Sequence, residues 1–310
     1  MASPTRGRLL LLDSASLYFR AFYGIPDSFK AADGTVVNAV RGIVDFVATL
    51  ADRYEPEAIV ACWDDDWRPQ WRVDLLPSYK THRLADPEAG PGGTAEEVPD
   101  ALSPQVPLIA EALGLVGIPV VGAPHAEADD VIATLAGRWD GPVDVVTGDR
   151  DLFQLVDDAH PVRVLYTARG VGNHDVVDAA WIRAKYDVEP QQYVDFATMR
   201  GDTSDGIPGV KGIGEKTAAT LLNAFGDLDG ILAAAKDPSS DVKPRVRASL
   251  VESEDAIGVM RQVVTVRTDV TDVQVEPLAA LDDAARHGLT AFGEQWSLGG
   301  APERLLSALR

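Results

Sequence analysis

Carboxylates that follow predicted strands are the residues with the clearest chemistry in this sequence. They come directly after apolar runs or in the first turn of the next predicted helix: Asp13, Asp64, Glu127, Asp129, Asp130, Asp149 and Asp151. Because parallel strands end at one edge of a sheet, these acids are expected to meet there. So many like charges could not all stay ionised without cations. Ligation by oxygen alone, without nearby histidine or cysteine, favours Mg²⁺ or Mn²⁺ over zinc.

The stretch from His125 to Ala136 has a second explanation. Three acids lie within four residues there, directly ahead of an apolar run with helical spacing. Acids in the first turn of a helix complement its dipole, and for this stretch alone that explanation is favoured. A metal site is favoured only because acids also follow the other predicted strands in the sequence.

A second chemical segment lies between Met199 and Leu222. Three closely spaced glycines predict a tight hairpin, and a helix is predicted to follow: Gly209, Gly212 and Gly214, then residues 215–224. Glycines let the backbone approach a phosphate, and the free amides of a helix start can donate to it. Lys211 and Lys216 add positive charge without base specificity. A plain Gly-rich linker explains the segment equally well, although Asp202 and Asp205 could extend the acid cluster.

Apolar runs that alternate with helical patterns define the elements that must position these residues. Strands are predicted at residues 8–13, 58–63, 117–121, 143–147 and 163–166. Helices are predicted at residues 14–23, 36–54, 106–115 and 131–139. This alternation implies an α/β fold with a mainly parallel twisted sheet flanked by helices. Beyond residue 180 the only candidate strand is 263–266, so an α/β core at 1–180 and a helical region at 181–310 are predicted.

Composition limits the class of protein. The chain has 310 residues, a net charge of −20 and one cysteine, so it has no internal disulfide and suits a reducing compartment. The apolar run that ends at Asp13 is too short for a signal peptide or a membrane span, which predicts a cytoplasmic protein without a membrane partner. The acidity argues against a nucleic-acid partner. Acids that hold divalent metal would nevertheless present a positive site to phosphate.

Seven motifs, taken in order, resemble the bacterial 5′-nuclease family. They are Leu-Leu-Asp13, Trp63-Asp64, Tyr79-Lys-Thr-His-Arg83, Glu127-Ala-Asp-Asp130, Thr147-Gly-Asp-Arg-Asp151, Gly201-Asp-Thr-Ser-Asp205 and Ile207-Pro-Gly-Val-Lys-Gly-Ile-Gly214. The family includes flap endonucleases and the 5′–3′ exonuclease domain of DNA polymerase I. The resemblance covers about residues 8–290, and with no polymerase segment following, the chain resembles a free-standing member.

The resemblance implies a fold and a set of site residues. The fold is a PIN-like nuclease core with an arch or loop at 67–105, followed by a helix-hairpin-helix-type DNA-binding region with its hairpin at 207–216. Two or more Mg²⁺ or Mn²⁺ ions are implied. The first ion would be held by Asp13, Asp64, Glu127 and Asp129, with Asp130 close by, and the second by Asp149, Asp151, Asp202 and Asp205. Lys80 and Arg83 resemble the catalytic basic residues that hold the scissile phosphate.

The resemblance also implies the substrate. DNA is expected as the partner of a monomer associated with the nucleoid, at 5′ flaps, nicked or gapped duplexes and RNA-primed ends. The DNA-binding residues would be Arg20, Gly209, Lys211, Gly212, Gly214, Lys216 and Thr217, and the hairpin carbonyls are a candidate K⁺ site.

Two departures from the family pattern limit these expectations. Ser14-Ala15 replaces the usual Gly-Asn or Gly-Ser, and the Pro/Gly/acid-rich segment 84–100 is unlike the second limb of the arch and is predicted to be a loop. The preference between flap and exonuclease action therefore stays open. Two other functions remain: a structure-specific DNA-binding protein with little catalysis, which the full acid set disfavours, and a PIN-like ribonuclease, which the hairpin disfavours.

Overall fold

A six-stranded sheet forms the centre of the protein, whose computed structural model describes residues 6–86 and 96–309. The strands lie in the order β3-β2-β1-β4-β5-β6, and all neighbours are parallel except β5 and β6. They span β1 (Leu9–Asp13), β2 (Ala58–Cys62), β3 (Val120–Val121), β4 (Val143–Thr147), β5 (Val162–Tyr166) and β6 (Asp175–Val177). The mainly parallel sheet is therefore confirmed. The antiparallel β6 was not predicted, because three residues are too few to show a strand periodicity.

Helices cover both faces of the sheet and make up most of the second half of the chain. The first half contains α1 (Ser14–Gly24), α2 (Asn38–Tyr54), α3 (Gln70–Leu75), α4 (Gln105–Leu115) and α5 (Ala128–Arg138). The second half contains α6 (Ala179–Tyr186), α7 (Tyr193–Arg200), α8 (Glu215–Phe225), α9 (Leu228–Lys236), α10 (Pro244–Glu252), α11 (Glu254–Val264), α12 (Asp283–Gln295) and α13 (Ala301–Ala308). No described helix is long and apolar enough to cross a membrane.

The strand predicted at 263–266 is wrong. Val263 and Val264 instead form the last turn of α11, where they are buried together with Ile257 and Met260. Apolar residues at this spacing share one face of a helix, so α11 buries a continuous stripe. A short apolar run does not distinguish a strand from the end of a buried helix, which explains the error.

Both faces of the sheet are buried, which explains the continuous apolar runs of its central strands. Leu9 and Leu11 of β1 face one core, which they share with α5, α7 and α8. Leu10 and Leu12 face the other core, which they share with α1, α2 and α4. Each central strand is thereby fixed on two sides, and its carboxyl end is held rigidly at the edge where the acids lie.

The last two helices return to the first half of the chain. Leu305 and Leu309 belong to the same core as α2, and Arg304 Nε lies 2.6 Å from Asp45 Oδ1 of α2. Leu289 of α12 is fully buried in that core as well. A division of the chain near residue 180 stays a prediction, but α12 and α13 pack with the α/β core.

The base of the predicted arch contacts the loop that carries Asp202 and Asp205. Lys80 N donates to Asp205 O at 3.0 Å, and Ser78 Oγ donates to Gly206 O at 2.9 Å. A Cβ atom on Gly206 would lie 2.2 Å from Ser78 O, so only glycine permits this approach. The predicted loop 84–100 lies partly outside the described residues, which omit 87–95. Leu84 and Glu96, on either side of the omitted residues, form an isolated antiparallel β-bridge.

Candidate active site

Thr147, at the end of β4, orients two of the predicted metal residues. Its hydroxyl donates to Asp13 Oδ2 at 2.6 Å and accepts from the backbone amide of Asp149 at 2.8 Å. Asp13 Oδ1 accepts from Ser16 N at 3.1 Å and so caps α1. The neighbouring strands β1 and β4 thus bring Asp13 and Asp149 to one edge, as the sequence predicted.

Asp64 and Glu127 approach the same edge from β2 and α5. Asp64 Oδ1 accepts from Ala128 N at 2.7 Å, which attaches the loop after β2 to the start of α5. Glu127 Oε2 lies 2.7 Å from Lys80 Nζ, and the Tyr79 hydroxyl lies 3.0 Å from both Glu127 oxygens. Burial lowers the pKa of Lys80, but the charges of Glu127, Tyr79, Asp205 and Asp64 together outweigh burial and raise the pKa well above its usual value. Lys80 is therefore a fixed ammonium at the acid cluster.

A cavity of about 290 Å³ joins the acids to the predicted catalytic cations. Its lining includes Asp13, Asp64, Lys80, Arg83, Glu127, Asp129, Asp149, Arg150 and Asp202. Members of both predicted metal groups therefore line one cavity, and the side chains of Lys80 and Arg83 form part of its wall. This is the one place in the described chain where the two groups and both catalytic candidates meet.

Asp130 does not take part in this cavity, and we correct its assignment as a metal residue. Arg72 binds both of its carboxylate oxygens, with each nitrogen–oxygen distance 2.8 Å. The amides of Arg267 and Glu127 also donate to it, at 2.8 and 3.2 Å. A fully buried carboxylate with four donors has no free oxygen to offer an ion, so Asp130 instead joins α5 to α3 and to the segment after α11.

The second predicted group divides between the cavity and the interior behind it. Asp149 and Asp202 line the cavity, whereas Asp151 and Asp205 are buried. Asp149 Oδ1 accepts from Asp151 N at 2.9 Å, and Asp205 Oδ1 lies 2.7 Å from Arg83 Nη2. Asp151 Oδ1 is buried and has no hydrogen-bond partner among the described residues.

Crowding of the acids changes their proton affinity. Burial, together with the charge of Asp64, raises the pKa of Asp13 to about 7, against the opposing hydrogen bond from Thr147. Burial and then neighbouring carboxylates raise the pKa of Asp129, Asp149 and Asp151 as well. Asp202 differs: despite its burial, hydrogen bonds from Ser204 hold its pKa below the usual value. The cluster lacks enough positive charge to ionise fully.

The chemistry of the donors fits a hard divalent cation. All are carboxylate oxygens, the ligands that Mg²⁺ and Mn²⁺ prefer, and the orphaned Asp151 oxygen and raised pKa values indicate missing counter-charge. No three acids, histidines or cysteines in residues 6–86 and 96–309 are already grouped so that they could hold one ion. Lys80 and the arginines instead hold several of these carboxylates, so binding an ion requires side-chain rearrangement.

The glycine-rich hairpin is an exposed loop fixed by two buried residues. Val210 and Ile213 are buried, and Val210 N donates to Met199 O at 2.9 Å. A Cβ atom on Gly209 would lie 2.6 Å from Gly201 N, which explains the glycine there. The remaining predicted DNA-binding residues are exposed or half-buried at the start of α8: Lys211, Gly212, Gly214, Lys216 and Thr217. The hairpin therefore presents amides and two ammonium groups to solvent.

Arg20 lies beside the active site in a separate groove. It donates to Ala168 O at 3.3 Å and lines a groove that shares Ser16 and Phe19 with the acidic cavity. This placement puts Arg20 next to the acidic cavity but outside its lining.

Arg150 is the main residue that sequence reasoning missed. Its guanidinium lines the cavity, 3.5 Å from Asp202 Oδ2 and 3.9 Å from Glu215 Oε1 in the first turn of α8. Arg150 thus links the acid cluster to the hairpin helix. Its position inside the Thr147–Asp151 motif was the sequence signal that could have identified it. Glu96 also lines the cavity, but nothing in its local sequence indicated this.

An acid-lined cavity at the carboxyl edge of a mainly parallel sheet, joined to a glycine-rich hairpin, suits metal-assisted hydrolysis of phosphodiesters and indicates an α/β nuclease. The family model described as "5'-3' exonuclease, N-terminal resolvase-like domain" matches residues 8–187. The model described as "5'-3' exonuclease, C-terminal SAM fold" matches residues 188–285. The chain therefore belongs to the 5′–3′ exonuclease family, and it is a hydrolase.

Relatives of similar length carry the same family name. The 5′–3′ exonuclease of Streptomyces coelicolor is 54% identical, over 97% of this chain and 99% of its own length. That of Mycobacterium tuberculosis is 46% identical, over 94% and 96%. DNA polymerase I of Mycobacterium bovis is 37% identical over 87% of this chain, but only 29% of the polymerase is covered.

Solved structures share the fold at low sequence identity. A bacteriophage T5 flap endonuclease in a pseudo-enzyme-product complex with DNA and metal ions has a TM-score of 0.65 at 20% identity, over 97% of this chain and 99% of that one. The catalytic core of Rad2 with a DNA substrate has a TM-score of 0.61 at 19% identity, over 98% and 92%. These similarities extend over nearly the whole chain and confirm the predicted nuclease fold.

Proposed function

We propose that this protein is a divalent-metal-dependent, structure-specific 5′ nuclease that hydrolyses phosphodiester bonds of DNA during replication and repair. The single observation that carries the proposal is the cavity in which Asp13, Asp64, Asp129 and Asp149 face the ammonium of Lys80. A cavity rich in acids repels DNA unless cations fill it, which makes a metal requirement part of the proposal. Its substrates are 5′ flaps, 5′ ends and nicked or gapped duplexes.

The proposed metal residues are Asp13, Asp64, Glu127, Asp129, Asp149, Asp151, Asp202 and Asp205, and Mg²⁺ or Mn²⁺ suits their oxygens. In phosphodiester hydrolysis, a pair of such ions supplies charge that stabilises the attacking and leaving oxygens. Lys80 and Arg83 would contact the scissile phosphate from the cavity wall. In the ion-free protein both are held by carboxylates, Lys80 by Glu127 at 2.7 Å and Arg83 by Asp205 at 2.7 Å.

The hairpin at 207–216 is proposed to hold the duplex part of the substrate. The amides at the start of α8 and the ammonium groups of Lys211 and Lys216 suit a phosphate backbone, whose recognition needs no base contact. A K⁺ ion at the hairpin carbonyls belongs to the same proposal. Arg150 joins this region to the cavity and would keep the bound duplex in register with the cleavage centre.

The proposal extends to the oligomeric state and the cellular location of the active protein. A single chain carries the cavity, the basic side chains of Lys80 and Arg83, and the hairpin, so a monomer would suffice for the activity. Its DNA substrate would place it at the nucleoid in the cytoplasm. RNA-primed 5′ ends belong to the proposed substrates, and a 5′ ribonucleotide in the cleavage assay tests them.

The decisive experiment measures cleavage of a 5′-labelled flap duplex with Mg²⁺ or Mn²⁺, together with binding of the same duplex. Asp149→Asn removes a carboxylate that lines the cavity and should lower the cleavage rate by at least about 100-fold, with binding retained. The exposed Asp158→Asn is the matched control and should cleave like the wild type.

Two outcomes would contradict the proposal in different ways. If Asp149→Asn cleaves at the wild-type rate, the second metal group is wrongly assigned. If the wild type binds branched duplex but never cuts it, the chain is a DNA-binding protein and not a nuclease.

A further inference from the structure

The guanidinium of Arg200 is buried behind the second predicted metal group, which is called the second acid group below and consists of Asp149, Asp151, Asp202 and Asp205. Arg200 ends α7, and only 8% of its side chain is exposed. Its Nη2 lies 3.6 Å from Asp202 Oδ2 and 3.8 Å from Asp151 Oδ1. Neither terminal nitrogen has a hydrogen-bond partner in the described part of the chain. The terminal nitrogens of this buried guanidinium therefore have two carboxylates as their nearest ion-pair partners.

Arg200 is fixed on the side of the acids that faces away from the cavity. Its Nε donates to Gly201 O at 3.1 Å, and its guanidinium carbon lies 5.6 Å from the centre of the Phe196 ring. Arg83 and Arg150 are partly exposed and line the cavity, whereas Arg200 does not. Arg200 thus cannot reach a substrate and acts only through the carboxylates beside it.

The distances show that Arg200 does not occupy Asp151 Oδ1 or Asp202 Oδ2 with a hydrogen bond. At 3.6 to 3.8 Å the nitrogen and oxygen atoms are too far apart for a hydrogen bond. Coulomb attraction still acts at this range in a poorly solvated interior. Asp151 and Asp202 therefore gain a counter-charge without losing their oxygens to it. This differs from Asp130, whose oxygens are all taken by direct donors.

We propose that Arg200 is a positioning residue, a fixed internal counter-charge that keeps Asp151 and Asp202 in place before any divalent ion binds and that lowers the affinity of the second acid group for the ion. The inference rests on the proposed metal-dependent function and deepens it. A positive charge this close both compensates the acids in the ion-free protein and repels an arriving cation. Removal of Arg200 should therefore have two opposite effects.

The ion-free protein should become less stable when Arg200 is replaced, because the buried acids lose their compensation. Mn²⁺ binding should at the same time become tighter, with a dissociation constant about tenfold lower, because one repelling charge is gone. A residue with a merely structural role would destabilise the protein and weaken binding together. Lower stability without ions combined with tighter Mn²⁺ binding therefore distinguishes the proposed role from a merely structural one.

The experiment counts free Mn²⁺ by electron paramagnetic resonance during titration of the DNA-free protein, with thermal unfolding in EDTA and in Mn²⁺. Arg200→Gln removes the charge, Arg200→Lys keeps it, and Arg183→Gln is a surface control whose partner is Glu189 at 2.6 Å. We expect tighter Mn²⁺ binding and a lower melting temperature in EDTA for Arg200→Gln only.

The proposal is overturned if Arg200→Gln binds Mn²⁺ as the wild type does or more weakly, or if Arg200→Lys behaves like Arg200→Gln. If the wild type binds no Mn²⁺ at all, the proposed metal-dependent function fails first. Should Arg200→Gln not fold in EDTA, Arg200→Met is tested with Mn²⁺. Recovery of the fold by Mn²⁺ supports the proposal, and a chain that stays unfolded contradicts it.

Discussion

At the scale of single residues, burial and neighbouring carboxylates raise the pKa values of several acids at the site. Asp13 shows the effect most clearly, because burial and the charge of Asp64 raise its pKa to about 7. The Thr147 hydroxyl opposes this shift with a 2.6 Å hydrogen bond. The site is therefore strained electrostatically, and a bound cation would relieve that strain.

The stability of the ion-free protein should fall as pH rises from about 4 to 7. The folded pKa of Asp13 lies above its unfolded value of 3.8, so the native state binds more protons in this window and deprotonation favours unfolding. Asp13→Asn removes this penalty. It should raise the free energy of unfolding at pH 8 by about 2–4 kcal/mol, with little gain at pH 4.

Urea unfolding in EDTA at both pH values measures this effect, and Asp158→Asn is the exposed control. An equal change at pH 4 and pH 8 would contradict the assigned pKa of Asp13. Addition of Mg²⁺ should reduce the pH dependence of the wild type, since the ion replaces the missing counter-charge.

At the scale of elements, the carboxyl ends of the strands and the start of α8 form the proposed functional surface. β1, β2 and β4 end beside one another and deliver acids to the cavity. The hairpin places its amides and lysines at the N-terminus of α8, where the helix dipole favours phosphate. Arg150 lies between the two and contacts both.

Replacement of both hairpin lysines should weaken duplex binding and reduce its salt dependence. Lys211 and Lys216 are both exposed. Each phosphate contact contributes about 0.9 to the slope of log affinity against log salt, so the double alanine variant should lose about two units of slope. Cleavage at saturating duplex concentration should remain.

A salt series of duplex binding checks this prediction. Lys185→Ala with Lys243→Ala is the control, since both lysines are exposed and lie outside the hairpin. An unchanged slope in the Lys211/Lys216 variant would show that the hairpin does not contact the phosphates.

At the scale of the whole molecule, the C-terminal helices stabilise the α/β core. α13 packs on α2, and its Leu305 side chain is fully buried. α2 also packs on the sheet through Val40, Val44 and Val47. The end of the chain therefore supports the scaffold that carries the acids, although it lies far from them in sequence.

Leu305→Ala should lower the free energy of unfolding by about 2–5 kcal/mol, because it removes a buried side chain and leaves a cavity between α13 and α2. The cleavage rate of the folded fraction should stay the same. Urea unfolding of the variant checks the loss against Glu303→Ala, an exposed position of the same helix. A loss below about 0.5 kcal/mol would mean that α13 contributes little to the core.

The sequence by itself determined the features that depend on local patterns. Apolar runs followed by acids defined β1, β2 and β4, and because parallel strands end at one edge, they predicted that Asp13, Asp64 and Asp149 would meet. Glycine spacing likewise predicted the hairpin before α8. Burial periodicity and backbone conformation are encoded over a few residues, so these predictions needed no knowledge of the tertiary structure.

Only the tertiary structure decided which side chains face the cavity. Asp130 and Asp129 are neighbours in sequence, yet Arg72, at a separation of 58 residues, binds Asp130 and removes it from the site. Arg200 acquires its role only because folding buries it beside Asp151, and α13 acquires its role by packing on α2. Partner choice in a packed interior is set by residues distant along the chain, and no local pattern records it.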